Sequence, residues 1–149
     1  MTLRSYGPVR FGDGFEAACR KLGAGACTLP VAAGAEPTEC RDWAPFGDGG
    51  PSFLVEQGRV MVVYLNDEGP RTRSGIGVGS SEDEVLAVYP GRIQVVPQKY
   101  LGEPSHTLTY VPAEPADGEF RIVFESDHGR IYQIHAGMRP AVEYVEGCL

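Results

Sequence analysis

Three histidines, four cysteines and one glycine-rich run are the residues of this 149-residue chain whose types could do chemistry. A general base or a metal ligand needs a partner at a fixed spacing or across a fold. His106, His128 and His135 offer no such spacing: none lies four residues from another, and no HExxH helix is present. They read as solvated histidines. The serines beside glycine, in Gly79-Ser80-Ser81 and Arg73-Ser74-Gly75, form no GxSxG elbow. Gly75-Ile76-Gly77-Val78-Gly79 invites a phosphate or dinucleotide reading, but its spacing is GxGxG and the strands that follow look antiparallel. It reads instead as a turn into a helix. Glu82-Asp83-Glu84 fits the first turn of a helix, where carboxylates favour the macrodipole. Asn66-Asp67-Glu68-Gly69 lacks the spacing of a calcium loop. No catalytic residue, metal site or cofactor is assigned.

Cys19, Cys27, Cys40 and Cys148 are an even set with no CxxC. Zinc would want thiolates in close pairs, so two disulfides are expected, and with them an oxidising compartment. The favoured pairing is Cys40–Cys148 with Cys19–Cys27; Cys27–Cys40 with Cys19–Cys148 is the rival. The chain opens into polar sequence with no secretory leader pattern, so the expectation is a periplasmic or secreted protein whose leader is absent from this sequence. No run reaches the roughly 18 apolar residues of a membrane span.

The elements that would position these residues are short. Twenty glycines and twelve prolines punctuate a chain that is 42% hydrophobic and 22% charged. A net charge of −7, with thirteen basic residues scattered among twenty acidic ones, argues against nucleic acid. A helix is expected after Gly12, capped by Asp13 with Glu16 three residues on, and ended by Gly23. A second follows Gly79, with Ser81 and Glu84 as a capping box and Pro90-Gly91 as its stop. Hairpins are expected through Gln57-Gly58 and through Asp127-His128-Gly129, with further strands at 92–96, 107–111, 142–145 and 41–43. The glycines before the two helices are 67 residues apart (79 minus 12), and the Gly-Arg pairs are 71 apart (129 minus 58). Such drift-tolerant spacing suggests an internal repeat. The expected fold is therefore α+β: two repeated helix-plus-antiparallel-sheet units, 1–68 and 69–149, with helices packed on one sheet face.

The glycine before each capped helix, followed by a hairpin carrying Gly58-Arg59-Val60 or Gly129-Arg130-Ile131, resembles the module of the small outer-membrane assembly lipoproteins of the SmpA/OmlA type. It is also similar to the tandem module of the β-lactamase inhibitory proteins. That resemblance implies a non-enzymatic bacterial envelope protein, an inhibitor or an assembly factor, that grips a protein partner on an open sheet face.

A sheet covered by helices on one side leaves its other side available. Phe120, Ile122 and Phe124 should face the helices, which puts Arg121, Val123 and Glu125 on the free side. Aromatic residues interleaved with Arg and Glu are common at interfaces. Trp43, Tyr64, Tyr110, Tyr132, Arg121 and Glu125 are thus the candidate binding residues. The expected partner is a protein, and the alternative is a glycan stacked on the same aromatics. A small hydrolase assembled only by the fold is the third reading.

Overall fold

The computed structural model describes residues 1–23 and 39–148. A short hairpin, β1 (Ser5–Tyr6) and β2 (Val9–Arg10), leads into helix α1 (Phe15–Leu22). Strands β3 (Arg41–Trp43), β4 (Ser52–Glu56) and β5 (Arg59–Leu65) come next, then helix α2 (Glu82–Val88). The chain continues through β6 (Ile93–Pro97), β7 (His106–Tyr110), β8 (Phe120–Asp127) and β9 (Arg130–Met138), and makes a 3-10 turn at Ala141–Glu143.

The seven strands from β3 onward form a single antiparallel sheet in the order β3-β4-β5-β9-β8-β7-β6. This overturns the expected α+β fold of two helix-plus-sheet units. The protein is mostly β, the α-helices among the described residues are two short pieces, and β5 pairs directly with β9 through Val62–Gly137, Val63–Ala136 and Tyr64–His135. The junction depends on a missing side chain. A Cβ on Gly137 would lie 2.0 Å from the Met61 carbonyl oxygen and 2.8 Å from Val62 Cα. The spacing seen in the sequence has a local cause instead. Gln57-Gly58 and His128-Gly129 both have positive φ at each position (52° and 73°, 47° and 83°), the turn type that matches strand twist in two-residue hairpins. After each turn the register slips, so that Met61 and Tyr132 are extra residues in their strands.

Side-chain alternation then sorts the sheet into two faces. Val63, Leu65, Leu108, Ile122, Phe124 and Ile134 pack beneath the helices, as the alternation along 120–125 predicts. α2 is held by its capping box, with Glu84 N–H donating to Ser81 Oγ (3.1 Å) and Ser81 N–H to Glu84 Oε2 (2.7 Å). α1 is not capped as expected. Its N-cap is Gly14, and the Asp13 carboxylate accepts from Arg10 N–H (2.9 Å) and Lys21 Nζ (2.6 Å) instead.

The other face carries a smaller cluster: Leu54, Val62, Val123, Ala141 and Val142. The strand expected at 142–145 does not form. β9 is already paired on both sides, and after Met138 the chain turns back across the sheet rather than along it. Cys40–Cys148 fixes this returning segment, as the favoured pairing required, and excludes the rival connectivity. Cys19 is not a free thiol; Cys27 falls outside the described residues. No helix among the described residues is long and apolar enough to cross a membrane.

Candidate functional site

The returning segment covers only the β5–β9 side of the second face. Over β6, β7 and β8 that face stays open and is walled on one side by Val142–Val145, leaving a groove of about 470 Å³. Its floor follows from register. Glu125 on β8 lies opposite Thr107 on β7, Val123 opposite Thr109, and Thr109 opposite Gln94 on β6. The arrangement is a polar floor with Val96 and Val123 interspersed.

Glu125 sits at the centre. Burial pushes its carboxyl above the usual carboxylate range, opposed by hydrogen bonds from Thr107 Oγ1 (2.6 Å) and from Gln98. Gln98 is a buried hub. Its Oε1 accepts from the backbone N–H of Tyr100 (2.7 Å) and Leu101 (2.8 Å), and its Nε2 lies 3.4 Å from Tyr132 Oη. The amide thereby shapes the loop after β6 and ties it to Glu125 and Tyr132. Tyr100, Leu101 and Tyr132 line a smaller hollow beyond Gln98 and are 59%, 52% and 40% exposed. Arg121, at the opposite end of the groove, donates to the carbonyls of Gly118 and Phe120 (2.8 Å each).

The six candidate residues therefore divide. Arg121 and Glu125 share the grooved face, and Tyr132, the extra residue of β9, lies in the hollow beside it. Tyr64 lies on the same face but under the C-terminal segment, its hydroxyl pushed up to about 12 by burial and by Asp42. Trp43 and Tyr110 are not on this face. Trp43 is 2% exposed, with its ring 4.9 Å from Phe15 and 5.1 Å from Phe53, and Tyr110 packs on Tyr89 at 4.8 Å beneath α2. The register explains the error: Trp43 pairs with Phe53 and Tyr110 with Ile122, both on the helix-covered side. Gln98, Tyr100 and Leu101 lie beside the groove and are not among the six candidates. Their signal was modest, an aromatic and a leucine in a Pro- and Gly-bounded loop after an aliphatic strand.

Two histidines read as solvated are engaged. His135 is fully buried under the C-terminal segment; burial lowers its pKa to about 4, opposed by a hydrogen bond to the Val142 backbone, and its Nδ1 has no hydrogen-bond partner among the described residues. His106 is clamped between carboxylates, Nδ1 at 2.8 Å from Glu82 and Nε2 at 2.8 Å from Glu103. Ser126 Oγ contacts the same Glu82 carboxylate and accepts from the His106 backbone N–H (2.8 Å). Both ring nitrogens of His106 point at carboxylates and neither at a hydroxyl, so the cluster ties α2 to β7 and β8 and does not activate Ser126. Among the described residues no group of His, Cys, Asp and Glu could hold a metal ion.

Fold and site together define a seven-stranded antiparallel-sheet protein with one face sealed by helices and a groove on the other. No family model and no curated protein matches the chain. Among solved structures it is similar to an extracellular protein containing an SCP domain from Bacillus anthracis, at 12% identity and a TM-score of 0.55. The match covers 87% of this chain and 44% of that one, so this chain spans less than half of its neighbour's length. At that identity the likeness is one of fold.

Proposed function

We propose that this is an exported, non-enzymatic protein that holds a protein partner on its grooved sheet face. The observation that carries the reading is the run of exposed Tyr100, Leu101 and Tyr132 beside the Glu125–Arg121 groove. Large side chains with few rotatable bonds next to a half-buried carboxylate supply contact area and one orienting charge, the composition of an interface centre. Export is supported by the Cys40–Cys148 disulfide, which fits an oxidising compartment, and by the extracellular nature of the structural neighbour.

The test compares the native protein with a Tyr100→Ala/Tyr132→Ala variant whose melting temperature is unchanged. Both are used to capture proteins from an envelope extract and from culture medium. The expected result is one protein retained stoichiometrically by the native form and lost with the variant. Equal retention by both would remove the grooved face from the argument. A glycan reading is favoured by one feature, the amide and hydroxyl floor of Gln94, Thr107 and Thr109 beside the two tyrosines. It predicts glycan-array signals that the same variant abolishes, with no protein retained.

A further inference from the structure

The two edges of the sheet are unlike. β3 is three residues long and carries Asp42, whereas β6 runs Ile93-Gln94-Val95-Val96-Pro97 with no charged residue and no register slip. Natural edge strands are blunted by charge, bulges, brevity or a covering element. Among the described residues β6 has only the proline at its end, and Val95 and Val96 are 45% and 53% exposed.

The hydrogen-bonding phase of β6 is fixed by the bonds that flank it. Val111 N–H donates to the Arg92 carbonyl and Gln98 N–H to the Ser105 carbonyl, 2.9 Å each. Antiparallel ladders alternate, so the even-numbered residues from Arg92 to Gln98 turn their backbone groups toward β7. Ile93, Val95 and Pro97 turn theirs outward. The free edge thus presents donors at Ile93 and Val95 and acceptors at Ile93, Val95 and Pro97. Proline stands at an outward position, where its missing N–H removes nothing from the β6–β7 ladder.

We propose that β6 is a self-association edge, on which β6 of a second copy of this chain adds antiparallel about a two-fold axis at Val95. The pattern is self-complementary. Each Val95 donates to and accepts from Val95 of the second copy, and each Ile93 N–H meets the Pro97 carbonyl of the other. The only outward group left over is the Ile93 carbonyl, which faces the proline nitrogen. Side chains agree with this register. On the helix side Val95 meets Val95, and on the grooved side Val96 meets Gln94. No charge faces a like charge, since Arg92 falls opposite Gln98 and Lys99 opposite Gly91. In a chain of net charge −7, this edge is free of acidic residues from Gly91 to Gly102, so two copies can approach here with the least repulsion. Such pairing joins two seven-stranded sheets into one, with the two grooves on the same face. It holds independently of what the grooves bind.

Sedimentation equilibrium on the intact chain, from micromolar to about 1 mM, tests this. The expected result is a concentration-dependent doubling of mass. Two substitutions should weaken it about tenfold or more while keeping the monomer folded. Val95→Pro removes an outward N–H and takes none from the β6–β7 ladder, and Val95→Lys adds a charge opposite its own copy. Amide exchange supplies the second readout: Ile93 and Val95 should become protected as concentration rises. A monomer throughout the range overturns the proposal. So does a dimer that survives both substitutions, or one in which Ile93 and Val95 continue to exchange freely, since copies would then meet elsewhere.

Discussion

Substituting His135 by glutamine should flatten the acid limb of the stability curve. His135 is fully buried beneath Val142, and its pKa falls from 6.5 to about 4 in the folded protein, first because burial disfavours the imidazolium. The unfolded chain therefore binds a proton through this window while the native protein does not. Stability from this group is complete above pH 6.5 and is lost as pH falls toward 4. At about 1.4 kcal/mol per pH unit, the fall from 6.5 to about 4 gives about 3 kcal/mol in full, most of it between pH 7 and pH 4.5. Other groups titrate nearby, so the difference between two proteins is the quantity to measure. Glu125, raised by burial, acts with the opposite sign, and Asp13 and Asp127, both lowered, act further into acid. Urea unfolding of the native protein and the His135→Gln variant at pH 7, 6, 5 and 4.5 gives two curves of stability against pH. The stability of the native protein minus that of the variant should fall by about 2 to 3 kcal/mol toward acid, whatever its value at pH 7. Parallel curves would show that His135 titrates alike in both states, and the account of the buried ring beneath the C-terminal segment would fail.

Removing the Cys40–Cys148 bond with a Cys40→Ala/Cys148→Ala variant frees a chain separation of 108 residues, worth about 4 to 5 kcal/mol in the chain-entropy model. A thermal melt should fall by about 10 °C or more, and an unchanged melt would mean the segment over Leu54, Val62 and Val123 is held without it. Gly137→Ala pushes a methyl into the Met61 carbonyl and should cost about 3 kcal/mol or more by denaturant unfolding; a loss below about 1 kcal/mol would contradict the close β5–β9 approach. His106 behaves oppositely to His135. The hydrogen bond that its ring N–H donates to Glu82 raises its pKa, with burial opposing and Glu103 adding to it, so its contribution is present below pH 6.5 and lost as pH rises through the folded value. His106→Gln should abolish that alkaline decline, and a decline of equal slope in the variant would assign it to another group.

Local rules carried the elements. The capping box at Ser81, the turns at Gln57-Gly58 and His128-Gly129 and the alternation along Phe120–Glu125 each depend on residues within a few positions, and each forms where the pattern places it. The architecture depended on something longer-range. Whether β5 pairs with β9 is decided at Gly137, a single glycine near the end of a strand, whose meaning appears only when Met61 lies against it. The strand expected at 142–145 failed for a related reason: its β-branched residues suited a sheet in which no edge beside β9 was vacant, so they cover a face instead.

The candidate site was half legible for the same physical cause. Alternation within β8 is enough to place Arg121 and Glu125 on the side away from the helices, because no register slip intervenes before Glu125. Trp43 and Tyr110 carry no such internal reference. Their strands are short, and only pairing with Phe53 and Ile122 shows that both rings turn toward the helices. An aromatic residue on an unplaced strand is equally suited to a core or to an interface, since both bury it. What distinguishes the exposed set here is that Tyr100 and Leu101 lie on a loop held by the amide of Gln98 rather than by packing. Tyr132 is an extra residue in its strand, displaced from both regular faces by the slip after Glu125. Irregularity, more than composition, holds these apolar side chains out of the core and beside the groove.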